Sequence, residues 1–211
     1  MVPEARRHEG RLIVVCGIDG SGKTTQIRRL AQWLTHRGIR VLQTRQPSDM
    51  YRANPHVRAY LDHGDNPLGM IGLSLLAAAD RQLHVRTVIE PAIAEGTWVL
   101  CDRYVYSSYA FFAARGVDVA FVRSINVHVP RPDVTFLLDV PVENALERIR
   151  SRDGDITKFE ERSVEFMTTV RQTFFACADD TFAIIDALQS PDHVAKQISS
   201  YIDSVFSLQT V

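Results

Sequence analysis

Cysteine is scarce: Cys16, Cys101 and Cys177 stand far apart along 211 positions. An odd count without metal-ligand spacing argues against a disulfide framework or a zinc site. Cys16 and Cys101 fall in apolar strand patterns that suit buried free thiols. No run is apolar enough to span a membrane. No charge dominates either, with 24 Lys and Arg against 25 Asp and Glu. With no block of like charge, no tail or large basic patch for nucleic acid is evident in the sequence. Internal repeats and low-complexity tracts are also missing. Residues 1–10 carry Arg6, Arg7, His8 and Glu9 without an apolar centre, so they read as a flexible tail rather than a signal peptide. A single domain over residues 11–211, cytoplasmic and away from membranes, is expected.

What is present is concentrated near the start. Leu12–Cys16 is a short apolar run rich in β-branched residues, the pattern of a buried strand. Gly17-Ile18-Asp19-Gly20-Ser21-Gly22-Lys23-Thr24-Thr25 follows and fits the phosphate-binding loop G-x-x-x-x-G-K-[ST]. The glycines let backbone N–H groups turn toward an anion. Lys23 brings a point charge to the β- and γ-phosphates, and the Thr24 hydroxyl can ligate Mg²⁺. A helix from about residue 25 to 36 adds its positive end.

Strand patterns recur at Arg40–Arg45, Trp98–Asp102, Val134–Val140 and Phe182–Asp186, with helical patterns between them. Pro141 opens a helix over Val142–Arg152, and Pro191-Asp192 precede one over Val194–Phe206. Leu68–Val88 reads as one long helix. This alternation predicts a parallel sheet covered on both faces, with ligands at the carboxyl ends of its strands. Arg45 and Asp102-Arg103 end two of those strands. The charged stretch 150–162 reads as a mobile loop or a lid.

These motifs together resemble the thymidylate kinases, P-loop nucleoside monophosphate kinases, over nearly the whole length. Besides the phosphate loop, the resemblance rests on Thr44-Arg45-Gln46-Pro47, Ala78-Ala79-Asp80-Arg81, Asp102-Arg103-Tyr104 with Ser107-Ser108, Ala145-Leu146-Glu147-Arg148 and Lys158-Phe159-Glu160. It implies an α/β three-layer fold with a five-stranded parallel sheet flanked by helices. It also implies ATP and a nucleoside monophosphate as substrates, Mg²⁺ as cofactor, and a homodimer. By the same resemblance, Gly17 through Thr25 and above all Lys23 hold the donor phosphates. Thr24 holds the metal, with Asp102 acting through water. Asp19 meets the acceptor sugar or metal-bound water. Arg45 and Arg103 bind the acceptor phosphate, Arg81 and Ser108 serve the base, and Glu160 approaches the acceptor. Gly20 stands where some members carry arginine, so a lid cation is expected among Arg148, Arg152, Lys158 and Arg162.

Four departures concern the base pocket. Ala77 stands where the family stacks a phenylalanine on thymine, and Phe111 and Phe112 replace a tyrosine and a glutamine. Tyr106 replaces a smaller residue, and Gln46 replaces a glutamate. Either Phe112, Tyr109 or Tyr106 supplies the missing ring, or Ala77 makes room for a different or modified nucleotide. A nucleotide-dependent switch without catalysis is the remoter reading.

Overall fold

A computed structural model describes residues 9–154 and 163–208. The sheet has five parallel strands in the order β2-β3-β1-β4-β5, where β1 is Arg11–Cys16, β2 Val41–Arg45, β3 Trp98–Asp102, β4 Val134–Asp139 and β5 Phe182–Asp186. Each strand coincides with its sequence pattern to within one residue. The central strands are buried at nearly every position, so both sheet faces are covered, whereas edge strands β2 and β5 alternate in exposure. The register sets Val15 and Arg45 opposite Asp102, and Cys16 opposite Leu137. The polar strand ends therefore collect along one edge.

Helix α1 (Lys23–His36) packs against β1–β3 and beside α10 (Pro191–Phe206). The short α2 (Asp49–Arg52) and α3 (Pro55–His63) lead to α4 (Gly69–His84). Helix α6 (Val105–Ala114) lies against α4, α7 (Val119–Ser124) and α9 (Val164–Ala176). Helix α8 (Val142–Asp153) runs toward residues 155–162, which lie outside the described residues.

The long helix expected over Leu68–Val88 takes a different form. Helix α4 passes at His84 into a π-helical turn, Val85–Ile89, and on into α5 (Glu90–Ala94). Pro91 lies in the first turn of α5. Its missing N–H and bulky ring cannot follow an α-helical turn, and the wider turn carries the axis past it. Of the expected tail, residues 1–8 lie outside the described residues; Gly10 sits so close to Ile93 that a Cβ would come 2.2 Å from its carbonyl oxygen. All three cysteines are free and buried. No described helix is long and apolar enough to cross a membrane.

Candidate active site

Beyond Cys16 the chain leaves the sheet through Gly17, Gly20 and Gly22, at φ of +142°, +81° and +93°. A Cβ on Gly17 would lie 2.6 Å from the Leu138 carbonyl oxygen, and one on Gly20 2.3 Å from that of Ala145. The loop thus presses directly on β4 and α8, and no arginine fits at position 20 without moving α8. Helix α1 starts at Lys23 with no acidic residue in its first turn, which leaves its end positive. Lys23 Nζ donates to the carbonyls of Gly17 (3.2 Å) and Ile18 (2.8 Å), and stands 3.5 Å from Asp19 Oδ1. Burial, and after it the charge of Arg103, pulls the Lys23 pKa down to about 8 against Asp19 and Asp102. A cation held this unfavourably is matched to an incoming anion. Ser21 is buried, Thr24 exposed and Thr25 half-buried at the start of α1.

Arg103 follows β3 at φ +65°, a left-handed conformation rare for any residue but glycine. Its backbone N–H donates to Val15, its Nη1 to the Gly17 carbonyl at 2.9 Å, and its Nη2 to Asp19. Arg103 therefore ties the end of β3 to β1 through its backbone and to the phosphate loop through its guanidinium. Burial opposes its charge, but Asp19 and Asp102 outweigh that and raise its pKa. Asp102 Oδ1 is buried with no hydrogen-bond partner among the described residues. With the exposed Thr24 hydroxyl, this orphaned oxygen suits a hydrated divalent ion. Among the described residues no three carboxylates, cysteines or histidines cluster, so such an ion would take further ligands from phosphates and water.

A cavity beside the loop is lined by Asp19, Arg103, Arg81, Ser108, Ala77 and Phe111, and also by Phe112, Arg52, Arg115 and Phe166. Arg81 is fully buried and donates through Nε to Gln46 Oε1 (2.9 Å), through Nη1 to Asn126 Oδ1, and through Nη2 to Ser108 Oγ (2.6 Å). Of the aromatics considered as substitutes for a ring at Ala77, only Phe112 lines the cavity. Tyr106 instead donates its hydroxyl to Asp179 and sets its ring against Phe182 and Tyr109, while Arg123 covers Tyr109. Phe166 of α9, which the sequence did not single out, faces Phe111 at 6.1 Å between centroids.

Arg45 ends β2 at the same sheet edge but does not line this cavity; it bonds Asp49, and its side chain is 56% exposed. Arg52 does line it, fixed by Nε to the Pro47 carbonyl at 2.8 Å. Burial, then repulsion from Arg103 and Arg45, lowers its pKa, so these three cations gather where an anion would relieve them.

Across the loop a second groove runs along Ser21, Gly22, Thr25 and Gln26 to Arg148 and the segment 187–191. Gln26 Nε2 donates to the Pro191 carbonyl (3.0 Å) and Arg148 to that of Ala187 (2.8 Å). Arg152 pairs with Asp153. Lys158, Glu160 and Arg162 lie outside the described residues. The arrangement thus sets the glycine-rich loop and the start of α1 between two recesses, with cations at the junction.

A family model described as thymidylate kinase matches residues 15–198. The chain is 39% identical to a probable thymidylate kinase of Pyrococcus horikoshii, over 92% of this chain and 96% of the relative. It is 35% identical to a thymidylate kinase of Chromohalobacter salexigens (92% and 95% covered) and 38% identical to one of Afipia carboxidovorans (92% and 89% covered).

Proposed function

The chain belongs to the thymidylate kinase family, and from that premise we propose that it transfers the γ-phosphoryl group of ATP to dTMP, giving ADP and dTDP. The observation that carries this reading is Arg103, bonded at once to the phosphate loop and to Asp19 while lining the neighbouring cavity. Its charge stands where two phosphate chains would meet. Phosphoryl transfer asks for alignment and charge neutralisation more than for covalent help. The acceptor oxygen is already anionic, so no general base is needed.

In this reading Lys23 and the loop N–H groups bind the β- and γ-phosphates, exchanging the carbonyls that now hold Nζ for phosphate oxygens. Arg103 and Arg52 grip the acceptor phosphate, and Arg45 adds charge from the rim. Asp19 fixes Arg103 and faces the acceptor sugar. Arg81 and Ser108 present polar atoms to the base, between Phe111, Phe112 and Phe166. The second groove takes the donor nucleoside, with Arg148 on its wall. Thr24, and Asp102 through water, would hold Mg²⁺, which offsets charge on the donor phosphates. A second copy of the chain packs on the exposed stripe Leu68, Ile71, Leu75 and Leu83 along α4.

Chromatography of products formed from ATP and each common nucleoside monophosphate tests the assignment. dTDP is expected as the main product. Turnover of another monophosphate with none of dTMP would overturn it.

A further inference from the structure

His84, Gln46 and Arg81 form a hydrogen-bond relay whose polarity one group decides. Arg81 Nε can only donate, so the Gln46 atom 2.9 Å from it is the amide oxygen. The Gln46 NH₂ then faces His84 Nδ1 at 3.1 Å, and Nδ1 must accept. The ring proton therefore sits on Nε2, which donates to Thr44 Oγ1 at 2.8 Å. Gln46 and Arg81 are each 1% exposed and His84 is 9% exposed, so water offers little substitute for these partners. The far end of the guanidinium bonds Ser108, which shares the cavity wall with it.

We infer that His84 is a positioning residue for acceptor binding: neutral, with its proton on Nε2, it holds Arg81 in place through Gln46. The inference rests on the cavity being the dTMP site. Protonation of His84 would set an Nδ1–H against the Gln46 N–H. The amide must then turn its oxygen to His84, which takes the acceptor away from Arg81 Nε. A charged His84 thus costs Arg81 the acceptor at Nε and leaves it held by Asn126 and Ser108 alone. The groups around the ring are Thr44 from β2, Gln46 from the strand exit, and Asp80 one turn earlier on α4. Asp80 is itself bonded by the Ser48 N–H at 2.8 Å. Burial lowers the His84 pKa from its usual 6.5, opposed by the Asp80 charge, so the neutral form prevails near pH 7.

Gln46→Glu removes the dependence. A carboxylate accepts from Arg81 and from a His84 Nδ1–H alike, whether the ring is neutral or charged. His84→Gln removes the titration altogether. The experiment measures kcat and the KM for dTMP from pH 8 to 5.5 in the three full-length proteins, together with the His84 ring titration by NMR. In the unaltered protein KM should rise by up to about tenfold per pH unit below the His84 pKa, with kcat changing far less. Either variant should lose that limb, and Gln46→Glu should bring the His84 titration above 6.5. The acceptor phosphate also takes a proton near pH 6 (about 6 for a phosphomonoester), but equally in all three proteins, so the difference among them is the readout. Equal acid limbs, or a His84 that titrates at or above 6.5 in the unaltered protein, overturns the inference. If dTMP is not turned over even at pH 8, the functional reading fails, and the two NMR titrations still judge the relay.

Discussion

Arg103 combines an unfavourable backbone with a side chain bonded at once to Gly17 and Asp19. The left-handed φ costs roughly 1–2 kcal/mol, yet glycine, which would remove that cost, is not used there. Arg103→Ala should lower kcat/KM for dTMP by ~10²–10³-fold, read by steady-state kinetics at saturating ATP, on the scale of other lost charge stabilisers. Arg52→Ala should raise the acceptor KM by roughly 10–100-fold, as expected for a charged hydrogen bond. Arg45→Ala should do less, because Arg45 points into its pairing with Asp49. Arg103 and Arg45 were legible in the sequence because each ends or follows an apolar strand. Arg52 was not. It lies on a four-residue helix with no periodicity to read, and only the packing of that helix under Pro47 brings it to the cavity. Phe166 escaped notice for a related reason: it reads as an ordinary apolar position of α9 until α6 brings Phe111 against it.

Among the elements, the strands were the most legible and the α4–α5 region the least. Short stretches rich in apolar and β-branched residues marked all five strands, four of them closed by a charged residue and β1 by Gly17. The same apolar content in α4 did not reveal where the helix widens, since a π turn leaves no distinct pattern of its own. Nor does periodicity separate a stripe facing the core from one facing a second subunit: α4 buries Leu73 and Ala77 yet exposes Ile71 and Leu75. Leu75→Glu should turn a dimer into a monomer in light scattering while leaving the far-ultraviolet circular dichroism unchanged. If the unaltered chain is already a monomer at micromolar concentration, the proposed dimer face is wrong. The glycine-rich loop stood out in the sequence as a motif, but its contact with α8 came only from the structure. Gly20→Ala meets both a positive φ and the Ala145 carbonyl, and should lower the melting temperature by several degrees, about 2–4 °C per kcal/mol at this size.

For the molecule as a whole, the site and the stability of the fold pull against each other. The Lys23 amine, shifted from 10.5 to about 8, costs folding roughly 3 kcal/mol in its charged form. That cost is complete below about pH 8 and fades toward pH 10.5, where the unfolded chain holds a proton that the folded chain has released. Lys23→Met should therefore melt higher than the unaltered protein without nucleotide at pH 7, and lose the upward shift that ATP produces. Scanning calorimetry with and without ATP reads both. The sequence announced the lysine but not its discomfort, which comes from the burial and the neighbouring arginine that tertiary structure supplies. The three sulfur atoms carry one last consequence. All are shut inside the fold, and burial lifts the Cys16 thiol to about 11, so maleimide dyes should pass them by. A lone Ser151→Cys at the exposed end of α8 could then carry a fluorophore without stripping the native thiols, and its emission would report on how the neighbouring stretch responds when nucleotides arrive.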